Sequence, residues 1–583
     1  MSSNLMNTSP NHLYFGDNLD ILRQHIADES VDLIYLDPPF NSNATYNVLF
    51  RERSGEESAA QITAFDDTWR WNIESELAYQ DVVTQQGGKV GELLAAMRAF
   101  LGQNDMMAYL TMMAQRMVEL HRVLKPTGSI YLHCDPTASH YLKLLMDAIF
   151  GADNFRNEIV WRRTNAHNNS RVYGRIHDTV LFYSKSSKYY FNPQVRPYSK
   201  GYIDGMFRFE DDIGVYRHAD ATASGVRTGD SGQPWKGYNP TNAGRHWAIP
   251  AYLREELEER GEDLAKLITQ EMLDLALKHN LIHLPNKSGG QPAIKRYLSR
   301  RDGTRLQDVW AYQPYTENML WDTDEAIDED VKWTQRNESL GYPTQKPEGL
   351  LSRVIRTSCP PDGVVMDPFC GCGTAVAAAE RLNRRWVGID ITHLAITLIR
   401  HRLHDAFGED LRPYEVVGEP KDLPGAESLA LHDRYQFEWW ALGLVDARPA
   451  RDRKKGADAG IDGYINFFDD NSGKPKRIVV QVKSGGVQRN QIATLKSDME
   501  REKADLALFV TLKPPTRPMQ QEAIEAGFYA PEAFPDHHFP RVQILTIEDL
   551  LSGAQPQYPR YAPAATFPRA PRRRRQGKQG RLG

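Results

Sequence analysis

Cysteine is scarce in this chain. Four cysteines in 583 residues are too few for a disulfide framework, which excludes the small disulfide-stapled secreted class. They fit a reducing compartment, and we expect a cytoplasmic protein. A zinc site at Cys359, Cys370 and Cys372 is one alternative, but paired zinc ligands usually lie about two to four residues apart with a fourth ligand nearby. Small residues in a tight turn are the simpler interpretation.

Long apolar runs and an excess of positive charge are also lacking. No apolar stretch approaches the ~20 residues of a membrane-spanning helix, and no basic segment followed by an apolar one opens the chain, so neither a span nor a secretory leader is expected. The formal net charge is −5. Seven positive charges and no acid lie in residues 569–583, which leaves −12 for the remainder. An anionic partner would therefore meet local basic surfaces.

The chain is longer than one hydrophobic core usually supports, so two or three domains are expected. Apolar strands alternate with helical spacing in an α/β rhythm, which a polar, aromatic and Gly-rich region with a charged helix near 252–280 interrupts. The predicted parts are, in chain order, a first domain at 1–405 with an inserted substrate-facing region at about 155–335, a connector at 406–430, a smaller α/β domain at 431–553 and a disordered basic tail at 554–583.

A glycine-rich turn connects a predicted strand at Val364–Met366 to a predicted helix at about 374–383. Its segment 369–373, Phe-Cys-Gly-Cys-Gly, can turn sharply and expose main-chain N–H groups and a helix N-terminus to a ligand. Asp390 ends the next apolar strand, seventeen residues after Gly373, where a carboxylate can accept both hydroxyls of a ribose. The pattern predicts a cofactor that contains a nucleoside.

Two alternatives compete for this turn. It could be a tight structural turn followed by a surface aspartate. A dinucleotide site is the other alternative, but it requires a third glycine three residues after the second, where this chain has Val376. S-adenosylmethionine has no pyrophosphate to bind, so it fits the turn better.

The second informative segment is Asp37-Pro38-Pro39-Phe40, which follows the apolar strand Val31–Leu36. An exocyclic amine on a nucleic-acid base is a poor nucleophile because its lone pair is delocalised into the ring. The Asp37 carboxylate and the Pro38 carbonyl can each accept one amine N–H, which directs the nitrogen lone pair at a methyl donor. Pro39 restricts the backbone and Phe40 offers a stacking face. The alternative is a proline-rich turn after a strand.

These segments give residues 1 to about 405 a resemblance to the β class of amino-methylating DNA methyltransferases, in which the catalytic tetrapeptide precedes the cofactor glycines. The matching segments are Gly16-Asp17, the tetrapeptide at 37–40, the strand region at 124–135, the stretch at 177–186, Thr344-Gln345-Lys346-Pro347 and the glycine turn at 367–374. The resemblance implies a Rossmann-like sheet with an inserted target-recognition region.

The resemblance also implies roles for individual residues. Asp17 would contact the adenine of S-adenosylmethionine and Asp390 its ribose. The residues expected around the rest of the cofactor are Thr344, Lys346, Asp367, Phe369, Gly371, Gly373 and Thr374. An Asp at the start of the tetrapeptide is usual in the adenine-modifying members, which favours adenine over cytosine. The target base would have to flip out of double-stranded DNA to reach the site.

The second domain carries a sparser pattern. Asp462 in Gly-Ile-Asp-Gly, and Gln481 and Lys483 after an apolar strand, are spaced as in metal-dependent nucleases. With Glu438 in the preceding helix, residues 435–513 resemble the Mrr-type restriction-endonuclease fold. This implies Mg²⁺ at Asp462 and Gln481, with Lys483 stabilising charge at the attacked phosphate. Incidental exposed Asp and Lys residues in a small α/β domain are the alternative.

The sequence therefore predicts an adenine-specific DNA methyltransferase of restriction-modification type, coupled to a Mg²⁺-dependent endonuclease domain and compatible with a homodimer. The alternative within enzymes is a solitary methyltransferase, for adenine or for the 4-amino group of cytosine, whose second domain binds DNA without cleaving it. A non-catalytic DNA-binding or cofactor-sensing protein is the alternative outside enzymes.

Overall fold

The computed structural model describes residues 11–39, 45–51, 57–66, 71–164, 171–285, 290–298, 303–312, 319–321, 325–332, 338–340, 342, 344–450, 460–470, 474–531, 533–560 and 566. The chain forms two compact units. One consists of residues 1–193, 307–311 and 330–583, and the other of residues 194–306 and 312–329. In the part of the chain that is described, no helix combines the length and apolar character needed to cross a membrane.

The first segment of the chain alternates strands with helices. Its strands are β1 (Asn11–Phe15), β2 (Val31–Leu36), β3 (Thr45–Arg51), β4 (Glu57–Asp66), β5 (Leu124–Cys134), β6 (Phe155–Arg162) and β7 (His177–Ser184). Its helices are α1 (Asn18–His25), α2 (Ile73–Asp81), α3 (Gly88–Leu101), α4 (Asp105–Val123) and α5 (Ser139–Phe150). Helix α4 begins where the Asn104 side chain accepts the Met107 N–H, an N-cap that satisfies a free donor.

The smaller unit has its own core. Its strands are β8 (Val195–Pro197), β9 (Phe209–Asp211), β10 (Gly214–Asp220), β11 (Thr222–Ser224), β12 (Arg245–Trp247), β13 (Ile282–His283), β14 (Ala293–Tyr297) and β15 (Gly303–Arg305), and its helices are α6 (Lys200–Met206), α7 (Ala251–Glu259) and α8 (Thr269–Lys278). Trp235 and Trp247 pack against Leu253, Leu257 and Leu273. The single helix predicted near 252–280 is wrong: Gly261 takes a positive φ of 87° after α7 and separates it from α8.

The last segment completes one sheet and builds another. Its strands are β16 (Val309–Trp310), β17 (Val364–Asp367), β18 (Arg385–Asp390), β19 (Tyr414–Val417), β20 (Arg448–Pro449), β21 (Gly463–Phe467), β22 (Lys476–Lys483), β23 (Leu506–Thr511), β24 (Phe528–Tyr529), β25 (Phe539–Pro540) and β26 (Val542–Thr546). Its helices are α9 (Glu348–Ser358), α10 (Thr374–Arg381), α11 (His393–Phe407), α12 (Leu423–His432), α13 (Arg434–Leu444), α14 (Arg489–Arg501), α15 (Arg517–Glu525) and α16 (Ile547–Leu551).

The main sheet has nine strands in the order β16-β6-β7-β5-β2-β17-β18-β1-β19. Of these, β5, β2, β17, β18, β1 and β19 are mutually parallel, and β7 runs antiparallel to β5 and β6. Every residue of β2 is buried, because apolar clusters cover both faces of the sheet. The predicted Rossmann-like α/β fold is confirmed, and it aligns the carboxyl ends of the parallel strands along one edge.

The second sheet has the order β20-β21-β22-β23-β26. Alternate residues of β22 and β23 enter two apolar clusters, so helices cover both faces of this sheet as well. Helix α13 packs against α11 of the main sheet's layer. A Cβ on Gly443 would lie 2.7 Å from Thr397 Oγ1, so the two helices approach closely there. The predicted smaller α/β domain is therefore present.

Three predicted boundaries differ in detail from the elements, although the domain limits stay a prediction. The connector at 406–430 contains β19, which extends the main sheet, and most of α12. The region at 155–335 opens with β6 and β7, which belong to the main sheet. Of the tail at 554–583, most lies outside the described residues, but the buried Thr566 hydroxyl accepts the Asn466 N–H at 3.1 Å.

A buried carboxylate connects three neighbouring strands of the main sheet. Glu380, at the end of α10, accepts hydrogen bonds from Arg412 Nη2 at 2.7 Å and Trp386 Nε1 at 3.0 Å. Asn11 Nδ2 lies 3.4 Å from the same carboxylate. Because Trp386 is in β18, Asn11 is in β1 and Arg412 precedes β19, these bonds hold the strand order at this side of the sheet.

We expect Arg412→Met to lower the free energy of unfolding by about 2–4 kcal/mol, because it leaves the Glu380 carboxylate buried without the Arg412 cation. Chemical denaturation of the parent and the variant measures this change. Lys421→Met is the control, since Lys421 is 70% exposed and its pair with Glu415 is a surface ion pair worth less than about 1 kcal/mol. Equal effects of the two substitutions would contradict the assignment.

Candidate active site

Four predicted site segments lie at one edge of the main sheet: Gly16-Asp17, the tetrapeptide, the glycine turn and Asp390. Phe15, which ends β1 just before Gly16, pairs with Asp390 at the end of β18, and Asp367 at the end of β17 pairs with Gly388. Strand β17 also pairs in parallel with β2, after which Asp37 follows directly. The parallel arrangement thus brings the tetrapeptide, the glycine turn and Asp390 to the same edge.

Asp37 forms a largely buried ion pair with Lys346. The Lys346 ammonium contacts Asp37 Oδ2 and also donates to the Thr344 carbonyl oxygen at 3.3 Å. The other carboxylate oxygen, Asp37 Oδ1, is buried and accepts no hydrogen bond from the residues that the structure describes. The pair fixes one oxygen and leaves the second available as an acceptor, which is the arrangement that an approaching N–H group requires.

The rest of the tetrapeptide is only partly described. Pro38 is buried and Pro39 is half-buried. Phe40 lies outside the described residues, so its predicted stacking role stays a prediction. The structure therefore places the Asp37 carboxylate and the Pro38 backbone at the sheet edge.

The glycine turn has the backbone conformation that its sequence predicts. Gly371 and Gly373 take positive φ values of 52° and 74°, and a Cβ on Gly373 would lie 2.7 Å from Ile399 Cγ1. The Gly371 N–H donates to Asp390 Oδ2 at 2.8 Å, and Thr392 donates from its N–H and hydroxyl to Asp390 Oδ1, both at 2.9 Å. The Asp390 carboxylate is held rigidly beside the turn.

Asp367 is a buried carboxyl at the centre of this edge. Its pKa is raised from 3.8 to about 8, chiefly by burial and also by the charges of Asp37 and Asp390, while the Phe369 N–H and the charge of Lys346 act to lower it. Burial also raises the pKa of Asp390. The three carboxyls thus lie close enough together for their charges to interact, and those that are ionised favour a cation nearby.

Asp17 is predicted to contact the cofactor's adenine. In the structure its carboxylate caps α1 by accepting the Leu19 N–H at 2.7 Å, and it pairs with Arg116 at 2.8 Å. Arg116 also donates to Asn18, whose amide donates to the Pro368 carbonyl oxygen at 2.8 Å. Sequence reasoning missed Arg116, because a basic residue in an amphipathic helix carries no signal of its partner.

The remaining predicted cofactor residues have different surroundings. The Phe369 side chain packs at the edge of an apolar cluster. The buried Thr374 hydroxyl accepts a hydrogen bond from Arg402 Nη1 at 2.9 Å, so it is already engaged by α11. Thr344 contributes its carbonyl oxygen to Lys346. The sequence assigned Lys346 to the cofactor, whereas the structure places its ammonium on Asp37.

The cysteines lie in the core. All four are free and buried, and burial raises the pKa of the Cys370 and Cys372 thiols. Among the described residues, no group of three or more His, Cys, Asp or Glu side chains is arranged as metal ligands. Cys370 and Cys372 serve as small residues in the glycine turn, where Cys370 Sγ lies 3.3 Å from the Asp367 carbonyl oxygen.

In the smaller sheet, the predicted nuclease residues lie close together. Asp462 Oδ2 accepts the Val482 N–H at 2.7 Å, between Gln481 and Lys483 in sequence. Gln481 Nε2 donates to the Gly460 carbonyl oxygen at 2.6 Å, while its buried Oε1 has no hydrogen-bond partner within the described ranges. Lys483 ends β22. Glu438 lies in helix α13, which precedes these strands in the chain.

Comparison with known families identifies the larger domain. Residues 31–400, more than half of the chain, match the N6_N4 family described as DNA methylase. The chain belongs to this DNA methylase family. The matched range contains the tetrapeptide, the glycine turn, Lys346 and Asp390, whereas Asp17, which follows β1, precedes it.

Several known proteins resemble this methylase over about two thirds of its length. The Type II methyltransferase M.EcaI of Enterobacter cloacae is 27% identical over 397 residues, which cover 67% of this chain and 69% of that protein. The StyLTI Mod subunit of Salmonella typhimurium, a Type III restriction-modification enzyme, is 26% identical over 64% of this chain and 50% of that protein. Among solved structures, TTHA0409 of Thermus thermophilus complexed with S-adenosyl-L-methionine is similar, with 12% identity, coverage of 70% of this chain and 99% of that one, and a TM-score of 0.30.

The second domain of the methylase matches a different family. Residues 438–551 match the family described as NACHT-associated inactive Restriction Endonuclease 1. This supports a restriction-endonuclease-like domain, as predicted, but the description as inactive does not support cleavage or a role for Mg²⁺. This match does not specify an Mrr-like branch. The match of the larger domain does not distinguish adenine from cytosine as the target base.

We expect the stability of the methylase to depend on pH through Asp367. A carboxyl whose folded-state pKa lies above its unfolded value binds its proton more tightly when folded. Its contribution is therefore complete below pH about 4 and is lost as the pH rises to about 8. The variant Asp367→Asn should not show this loss. The free energy of unfolding of the variant minus that of the parent should therefore increase with pH, by up to about 1.4 kcal/mol per pH unit across that window.

Chemical denaturation at several pH values between about 5 and 9 measures the difference between the two proteins, since this range spans most of the expected titration. Asp362→Asn, at an exposed aspartate before β17, is the matched control and should show no pH-dependent difference. A constant difference between parent and Asp367→Asn would show that Asp367 titrates normally in the folded protein.

Proposed function

We propose that this methylase transfers a methyl group from S-adenosylmethionine to the exocyclic amine of a flipped base in double-stranded DNA, with adenine as the base. The observation that carries the proposal is the Asp37 carboxylate, whose buried Oδ1 accepts nothing from the described part of the chain while Lys346 holds Oδ2. We assign the activity to a domain at 1–405, with a target-recognition region at about 155–335 and a second domain at 431–553.

The proposed chemistry is mainly positioning. Asp37 Oδ1 and the Pro38 carbonyl accept the two N–H bonds of the amine, which favours a pyramidal nitrogen with its lone pair directed at the methyl donor. Because Asp37 already accepts from Lys346, its carboxylate does not need to rotate when the base enters. Phe40 would stack on the base, which has to flip out of the duplex to reach a carboxylate at this depth.

The residues of the sheet edge fit a cationic cofactor. S-adenosylmethionine supplies an electrophilic methyl group on a positively charged sulfur. The carboxylates of Asp37 and Asp390 would stabilise such a charge, and the positive φ of Gly371 lets the backbone approach the ligand. We propose that Asp390 accepts the ribose hydroxyls, Asp17 contacts the adenine, and Phe369, Gly371, Gly373, Thr374, Thr344 and Lys346 surround the remainder.

We propose adenine because the tetrapeptide opens with Asp, as is usual in the adenine-modifying members that the sequence resembles. The matched family covers methylation at both N6 of adenine and N4 of cytosine. Both reactions use the same two acceptors, so the residues that contact the target base and the recognition region would decide between them.

A second candidate function is Mg²⁺-dependent DNA cleavage by residues 431–553. The contact of Asp462 with the Val482 N–H favours it, because it brings an acid next to Gln481 and Lys483. The description of the matched family as inactive favours the alternative, a domain that binds DNA without cutting it. We propose the non-cleaving function.

We expect Asp37→Ala to reduce methyl transfer by at least about 100-fold, because it removes one of the two acceptors that orient the amine. Incorporation of tritiated methyl groups into unmethylated DNA measures the rate. Asp362→Ala, at an exposed position, is the control and should keep the parent's rate. Incorporation by Asp37→Ala at the parent's rate would overturn the assignment of Asp37.

Nucleoside mass spectrometry of the same DNA identifies the modified base. We expect N6-methyladenine. N4-methylcytosine would overturn the choice of adenine and leave the methyl-transfer proposal intact.

We expect no cleavage when the purified protein is incubated with Mg²⁺ and unmethylated DNA. Gel electrophoresis with and without a chelator gives the result. Cleavage that disappears in Lys483→Ala, while methyl transfer continues at the parent's rate, would replace the non-cleaving function with the nuclease function.

A further inference from the structure

Three buried polar side chains lie on neighbouring strands behind the tetrapeptide. Tyr35 in β2, His133 in β5 and Asp178 in β7 are 2%, 0% and 1% exposed. Polar groups at this depth are costly unless they are hydrogen-bonded, so their pairing determines what they can do.

The three side chains form one hydrogen-bonded chain. Tyr35 Oη lies 2.9 Å from His133 Nδ1, and His133 Nε2 lies 3.1 Å from Asp178 Oδ2. The other Asp178 oxygen is 3.4 Å from Arg163 Nη1, on a side chain that is 38% exposed. These hydrogen bonds and the ion pair therefore connect Tyr35 in the core, two residues before the tetrapeptide, with a partly exposed arginine at the beginning of the recognition region.

The charge on Asp178 sets the direction of these bonds. Burial acts to raise the pKa of Asp178, but the hydrogen bond and charge of His133 and the charges of Arg163 and Lys346 lower it. The carboxylate thus accepts the His133 Nε2–H. An imidazole whose single proton is on Nε2 has an acceptor at Nδ1, to which the Tyr35 hydroxyl can donate.

The hydrogen-bonded chain lies near the proposed catalytic carboxylate. Tyr35 pairs with Tyr131 and Leu36 with Leu132 at the end of β2, and Asp37 follows directly. Burial raises the pKa of the Tyr35 hydroxyl, and the charge of Asp37 is close enough to Tyr35 to raise it as well. Lys346, the partner of Asp37, is also close enough to affect Asp178.

We propose that Tyr35, His133 and Asp178 are positioning residues, which hold the end of β2 so that Asp37 and the Pro38 carbonyl keep the orientation that methyl transfer requires. The inference rests on the proposed function. None of the three would touch the base. Their effect would pass through the hydrogen bonds that anchor the last residues of β2 before the tetrapeptide.

The structure provides a matched control. Tyr131 is the neighbour of Tyr35 in the sheet register, is equally buried and also has a hydroxyl contact, with Ser358 Oγ at 2.7 Å. Its hydroxyl bonds to α9 and takes no part in the chain. Tyr35→Phe and Tyr131→Phe therefore remove the same atom from equivalent depths, with only the first interrupting the chain.

The experiment compares Tyr35→Phe, Asp178→Asn and Tyr131→Phe with the parent. The single-turnover rate of methyl transfer to DNA at saturating S-adenosylmethionine, the Kd of that cofactor and the thermal midpoint are measured for each. We expect the first two variants to lose about 10-fold to 100-fold in rate, with cofactor Kd within about twofold of the parent. Tyr131→Phe should keep the rate within about twofold of the parent, because it leaves the chain intact.

Parent-like rates in both Tyr35→Phe and Asp178→Asn would overturn the inference, and so would an equal loss in Tyr131→Phe, which would indicate a general packing effect. If Asp178→Asn fails to fold, Tyr35→Phe alone decides, because it removes one oxygen atom. A parent that transfers no methyl group would reject the proposed function together with this inference. An active parent with unaffected variants would reject this inference alone.

Discussion

The convergence of three carboxyls at the end of neighbouring parallel strands is the constraint on which the rest of the site depends. Asp37, Asp367 and Asp390 lie together with little exposure, and ionising all three in a region of low polarity would be costly. The protein meets this cost in two ways. Lys346 pairs with Asp37, and the high pKa of Asp367 keeps that carboxyl neutral over much of the physiological range.

The same electrostatic arrangement bears on the proposed cofactor. A cation bound at this edge would be attracted by the carboxylates of Asp37 and Asp390. Main-chain groups contribute as well, since the N–H groups of Gly371 and of Thr392, the N-cap of α11, hold Asp390 in place. The backbone of the glycine turn and the charges of the strand ends therefore act on one small volume.

Helix α11 also connects the methylase domain with the second domain. It begins three residues after Asp390, at His393. The His393 ring stacks on Phe15 with centroids 3.6 Å apart, and the His393 backbone N–H donates to the Gln436 side chain of α13. The close approach at Gly443 continues this contact along the helix. The restriction-endonuclease-like domain thus packs on the helix that follows the proposed ribose-binding residue, which ties its placement to the proposed cofactor site.

Local patterns in the sequence predicted the α/β class, the order of the two informative turns and the strands next to them, β2, β17 and β18, because periodicity and glycine conformation are local properties. It did not determine that Lys346 pairs with Asp37, that Arg116 engages Asp17, or that His133 lies between Tyr35 and Asp178. Those contacts depend on which strands become neighbours. Periodicity contains no information about the order of strands in a sheet. That order arises only when the whole nine-stranded sheet packs, and these contacts arise with it.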